Sequence, residues 1–144
     1  MFVGVFARNL TLLAGLTLLL AGTGCGPTEN INASTDNVKY VGQSDFTDEV
    51  TRCSLPVVVA FYAAYNTPSH QLAPVLDRVA GNFRDKIKVV KINQADSPGL
   101  AQNFEIQKVP TILFFKAGKL TERNEGPISE ADLTAKMNAL VAGK

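Results

Sequence analysis

Between residues 37 and 142 the chain alternates two kinds of apolar pattern. Short dense runs, "VVVAFY" at 57–62, "IKVVKIN" at 87–93 and "TILFF" at 111–115, are rich in β-branched and aromatic residues and predict buried strands. Between and around them, apolar residues fall three and four apart, the spacing of one helix face. Phe46, Val50 and Cys53 recur this way behind Ser44, which is suited to cap a helix. Leu72, Val75, Leu76, Val79 and Phe83 do the same, with Asp77, Arg78 and Asn82 on the other side. Pro74 lies near the first turns of that helix and predicts a kink there. Leu133, Met137, Leu140 and Val141 line the face of a last helix behind Ser129-Glu130-Ala131-Asp132, which resembles a capping box.

Smaller signals complete the order. Val38 to Val41 predicts a short strand ended by Gly42, and Ser97-Pro98 opens a short helix through Asn103. Ala117-Gly118 makes a tight turn into a return strand, Lys119 to Arg123. Strands separated by helices imply parallel crossovers, and the late hairpin adds an antiparallel edge. The fold class is therefore α/β, with a mixed central sheet flanked by helices on both faces.

The N-terminal stretch reads differently. Arg8 is the only charge before the apolar and small residues of Leu10 to Gly24, which end in "LLLAGTGC". This is the layout of an export signal, and the run is shorter than the ~20 residues of a membrane-spanning helix. Its end on Cys25 resembles the lipobox of bacterial lipoproteins, which implies lipid on Cys25 as the first mature residue. Gly22 stands where the lipobox usually has leucine, and the charged region is sparse. The alternative is an uncleaved N-terminal anchor, which also leaves the domain outside the cytosol. Residues 26 to 37, "GPTENINASTDN", have the composition of a tether, and the Asn32-Ala33-Ser34 triplet within it carries no functional weight. The expected organisation is a signal peptide at 1–24, a tether at 25–37 and one domain at 38–144. The expected location is the bacterial cell envelope, membrane-anchored and facing the periplasm or exterior.

Composition narrows the function classes. The chain is 46% hydrophobic and 19% charged, as a single globular domain is, and its formal net charge is +1 with acidic and basic residues mixed. No basic stripe marks nucleic acid as a partner. The chain has two cysteines and one histidine, His70, too few for a metal constellation. No cofactor is implied. With lipid on Cys25, Cys53 is the only thiol left and the mature domain has no intramolecular disulfide.

Four pieces in order resemble the thioredoxin family over about residues 37 to 142. "PVVVAFYAAY" is similar to the family's central strand leading to its Trp-Cys-Gly-Pro-Cys motif. "QLAPVLDRVA" is similar to the following helix with its kinking proline, here Pro74. "KVVKIN" is similar to the next strand, with Lys91 at the family's lysine. "FEIQKVPTILFFKAGK" is similar to the segment of the cis-proline, here Pro110, and the hairpin glycine, here Gly118. The resemblance implies a thioredoxin fold.

The same resemblance puts the reactive residues out of register with their chemistry. Tyr65 stands at the motif's tryptophan, Asn66 at the nucleophilic cysteine, Thr67 at the glycine, Pro68 at the proline and Ser69 at the resolving cysteine. Ala60 stands at the buried acid. Thiol exchange requires a thiolate to attack sulfur, which neither an amide nor a neutral hydroxyl replaces. Asn66 is expected to serve as a helix N-cap, with Thr67 before Pro68 as the competing cap. Ser69-His70 does not read as a nucleophile and base, because neighbours on a helix point about 100° apart and no Gly-x-Ser-x-Gly elbow is present. Cys53 precedes the strand that delivers residue 66, roughly 20 Å away, on an apolar helix face. It reads as a buried cysteine.

The function expected is that of a non-catalytic module. Tyr65, Asn66, Pro68, Val109 and Pro110 are expected to border a groove that holds an extended segment of an envelope protein by strand addition. The alternatives are a thiol-disulfide oxidoreductase, as the family implies, and a single-cysteine partner that uses Cys53.

Overall fold

A computed structural model describes residues 37–143. The expected signal peptide, most of the tether and Cys25 lie outside the described residues. Nine elements follow in the predicted order. They are strand β1 at Lys39–Tyr40, a π-helical turn at Thr47–Thr51, β2 at Val57–Tyr62, helix α1 at Thr67–Asn82, and β3 at Lys88–Asn93. Then come α2 at Pro98–Asn103, β4 at Thr111–Lys116, β5 at Lys119–Glu125 and α3 at Glu130–Ala142.

The strands form one mixed sheet in the order β1-β3-β2-β4-β5. β3 runs parallel to both β1 and β2, while β4 is antiparallel to β2 and β5. β2 is apolar along its whole length because both of its faces are covered. Val58 and Ala60 pack with Leu72, Leu76 and Val79 of α1 and with Leu133, Met137 and Leu140 of α3. Val57, Val59 and Phe61 point the other way, to Phe46, Val50, Leu100 and Phe115. The period-2 alternation of a strand thus divides five apolar residues between two cores.

Three expectations are corrected. Ser44 does not cap the first helical piece: its hydroxyl donates to Asp45 Oδ1, and the piece is a single π-helical turn with Phe46 at its N-cap and no side-chain cap. Phe46, Val50 and Cys53 still converge on one core, as their spacing implied. Val141 is exposed, because the face of α3 that meets the sheet is carried by Leu133, Met137 and Leu140. Asp77 does not belong to a solvated face: its Oδ1 accepts the backbone N–H of Asn37 at 2.9 Å.

The cysteine expectation is corrected as well. Cys53 is buried and belongs to a disulfide, so it is not a free thiol. The expectation of none had assigned the sulfur of Cys25 to lipid.

The hairpin turn is tightly specified. Ala117 and Gly118 both have positive φ, 49° and 74°, as a two-residue connection between β4 and β5 requires. A Cβ added to Gly118 would lie 2.3 Å from the carbonyl oxygen of Thr51, so glycine is required there for space as well as for conformation. At the opposite end of the domain from the α1 tip, Glu49 of the π-helical turn binds Lys39 at 2.8 Å and also Lys88. Burial pushes the Glu49 carboxyl up, but the hydrogen bonds to Lys39 and Lys88 outweigh it and hold the group below its ordinary value.

Candidate functional site

β2 ends at Tyr62, and four residues carry the chain from the sheet to the first turn of α1. The turn closes through Asn66 N–H, which donates to Ala63 O at 3.2 Å. Asn66 then takes extended geometry (φ −102°, ψ 116°) and caps α1. Its Oδ1 accepts the Ser69 backbone N–H at 3.0 Å and the Ser69 hydroxyl at 2.9 Å. Between the two expected caps the structure uses Asn66. Thr67 and Pro68 occupy the first two helical positions, where the missing N–H of proline costs nothing because those donors have no intrahelical acceptor.

Ser69 is buried and its one proton is committed to Asn66. His70 is exposed, and its Nε2 donates to Ala64 O at 2.5 Å. The adjacent serine and histidine thus have different partners on different sides, and they do not form a nucleophile and base. Among the described residues, no cluster of three or more His, Cys, Asp or Glu side chains is placed to hold a metal ion.

Across the sheet, the Val109–Pro110 bond is cis. Pro110 is buried, and its carbonyl accepts Gly126 N–H at 2.8 Å, while Lys108 O accepts the Thr111 hydroxyl at 2.7 Å. Val109 lies between these two anchored residues and is half-buried against the second core. Among the described residues its own N–H and C=O make no hydrogen bond. Tyr65 is fully exposed at 102%, its ring standing out from the tip into solvent.

This fold, with a helix-capped turn at the end of β2 and a cis-proline before β4, matches the family model described as Thioredoxin over residues 37–139. The chain belongs to the thioredoxin family. It is 37% identical over 100 residues to a thioredoxin of Acidithiobacillus ferridurans, covering 69% of this chain and 93% of that protein. It is 34% identical over 93 residues to thioredoxin 1 of Synechococcus elongatus, covering 65% of this chain and 87% of that one. A chloroplastic M-type thioredoxin of Chlamydomonas reinhardtii is 39% identical over 93 residues, 65% of this chain and 66% of its own.

A second feature of this thioredoxin domain was not foreseen. A cavity of about 390 Å³ opens beside the tip, between α1 and the end of the sheet, with Ala60, Tyr62, Leu72, Leu76, Asp77 and Lys91 among its lining. None of Tyr65, Asn66, Pro68, Val109 or Pro110 lines it. Its floor comes from the pairing of Ala60 with Lys91 across β2 and β3. The small residue at 60 was visible in sequence; its neighbour was not.

Proposed function

We propose that this is an exported, lipid-anchored, redox-inactive thioredoxin-fold protein that binds an extended segment of an envelope protein. The segment adds as a short strand along Val109, beside the exposed ring of Tyr65. The observation that carries this reading is the pair of open backbone groups on Val109, which lie between two residues whose own carbonyls are taken. A donor and an acceptor on one residue are what strand addition uses, and the mode requires no cysteine. Asn66 and Ser69 stand at the positions that the family resemblance gives to the cysteine pair, and they are hydrogen-bonded to one another. Neither side chain supplies a thiolate.

The competing reading is a thiol-disulfide oxidoreductase. It is favoured by the relatives, several of which are thioredoxins by name. Reduction of insulin by dithiothreitol separates the two: turnover at the level of a thiol-free control is expected, and turnover well above it overturns the binding reading. Use of Cys53 as a single-cysteine partner is disfavoured by its burial at 3% exposure.

Partner capture is tested in cells with a photoreactive phenylalanine analogue at position 65. A recurrent envelope-protein adduct is expected, and it should be lost on Val109→Pro, which removes the N–H. An adduct pattern indifferent to Val109→Pro and to Tyr65→Ala in pull-downs overturns the proposal.

The anchor has its own test. The chain has two cysteines, so lipid on Cys25 and an intrachain disulfide at Cys53 belong to different forms of the protein. The mature exported form is proposed to be the lipidated one, beginning at Cys25. Its intact mass should exceed that of the peptide by a diacylglyceryl group; an unlipidated mass overturns this part of the reading.

A further inference from the structure

The cavity beside the tip lies outside the proposed peptide groove, and its lining joins an apolar wall to a few polar groups, Lys91, Tyr62 and Asp77 among them. Tyr62 and Ala60 alternate onto the same face of β2, and Lys91 pairs with Ala60 on β3, so these residues meet on the α1 side of the sheet. Ala60 is 2% exposed and contributes only a methyl group to the floor. Leu72 and Leu76 of α1 supply an apolar wall, and Val38 closes a side.

The polar groups in the lining divide into those already bonded and those left open. Ser69 Oγ donates to Asn66, His70 Nε2 donates to Ala64 O, and Asp77 Oδ1 accepts from Asn37. Asp96, the carboxylate near Tyr62 outside the lining, holds the Tyr40 hydroxyl at 3.0 Å and Asn93 Nδ2 at 2.8 Å. Among the described residues, the side chain of Lys91 makes no ion pair or hydrogen bond, and neither does the hydroxyl of Tyr62. These two open groups are donors, one of them a cation. The one carboxylate of the lining, Asp77, is held to Asn37 through Oδ1 and its backbone carbonyl; among the described residues it makes no ion pair with Lys91 and keeps Oδ2 open. The two donors sit over an apolar pocket within the size range of small-molecule sites.

The geometry points to a binding site for a small monocarboxylate with an apolar body, its carboxylate on Lys91 and Tyr62 and its body against Leu72 and Leu76. An ammonium with no carboxylate partner next to a methyl-lined floor attracts an anion through charge-assisted hydrogen bonds. The apolar wall gains by excluding water from the rest of the ligand. The inorganic anions satisfy only the first of these, and neutral alcohols only the second.

The test uses the full chain and hexanoate, with hexanamide and hexylammonium as the neutral and cationic counterparts. Backbone amide resonances around residues 60, 72, 76 and 91 should shift with hexanoate, and hexanoate should bind at least about tenfold more tightly than hexanamide. Lys91→Met, which keeps the aliphatic stem, should reduce hexanoate to the hexanamide level. Ala60→Leu should fill the pocket and remove both. Where Ala60→Leu disturbs folding, Ala60→Asp decides: it sets an internal carboxylate beside Lys91 and should abolish hexanoate binding in a protein of unchanged amide dispersion. Equal affinities for hexanoate and hexanamide, tighter binding of hexylammonium, or full retention by Lys91→Met would each overturn the assignment.

Discussion

The carboxamide oxygen of Asn66 accepts two hydrogen bonds from a single residue, Ser69, through its backbone N–H at 3.0 Å and its hydroxyl at 2.9 Å. One polar pair therefore caps α1 and satisfies a buried hydroxyl. The first turn of the helix is closed on itself, and the Ser69 hydroxyl proton is taken up within it.

That coupling has a measurable stability signature. Asn66→Ala removes the cap and leaves the Ser69 hydroxyl without its acceptor, which should cost about 1–2 kcal/mol. Ser69→Ala should cost less, because the backbone bond to Asn66 survives. Once Asn66 is gone, adding Ser69→Ala should bring little further loss. Urea denaturation of the two single variants and the double variant gives the coupling directly. Strictly additive losses would show that the two residues act independently.

If the tip lacks only its sulfur atoms, exchange chemistry should return with them. Asn66→Cys combined with Ser69→Cys should give dithiothreitol-dependent insulin reduction well above that of the unmodified chain measured in parallel. Adding Ala60→Asp should raise the rate again by restoring a proton acceptor beneath the pair. An inactive double-cysteine variant with a native fold would mean that the tip geometry itself has diverged.

Gly118 should tolerate no side chain. A Cβ there meets the Thr51 carbonyl at 2.3 Å, and φ is +74°. Gly118→Ala should therefore destabilise the domain by about 2 kcal/mol or more, seen as a lower thermal midpoint. Gly126→Ala also has a positive φ but open space around the added Cβ, so it should cost less. Equal losses at the two positions would remove the steric explanation.

Stability should also depend on pH through Glu49. Its folded-state carboxyl is held below the ordinary value by Lys39 and Lys88. A depressed acid contributes fully above its unfolded-state value, near ~4.3, and the contribution is lost as pH falls through the folded-state value. Glu49→Gln should therefore destabilise the protein by about 1–2 kcal/mol at pH 7 and by much less near pH 3. Urea midpoints of the two proteins that stay equally far apart at both pH values would exclude the carboxylate as the source.

Most of the fold is legible along the chain because its elements are locally consistent. Dense β-branched runs gave β2, β3 and β4, and helical spacing gave α1 and α3. The first helical piece is the exception. Its apolar spacing correctly brought Phe46, Val50 and Cys53 together, but the backbone widened into a π-helical turn, with Arg52 N–H donating to Thr47 O, and Ser44 turned to Asp45. At the site, Asn66 as cap followed from its residue type and position. The lack of a hydrogen bond on Val109 did not, because it depends on what the neighbours of β4 leave unpaired.

The sequence alone determined the order of strands and helices, the proline at 110, the glycine at 118, and the absence of any thiol or carboxylate from the tip. Those are properties of residue type and of spacing within one element. Only the tertiary structure decided which side of the sheet each apolar residue of β2 faces, and so that Ala60 and Tyr62 share a side with Lys91. It also decided that Lys91 lines a cavity and, among the described residues, makes no ion pair there. The physical reason is register: pairing between strands far apart in the chain sets which side chains meet, and no local pattern encodes that choice.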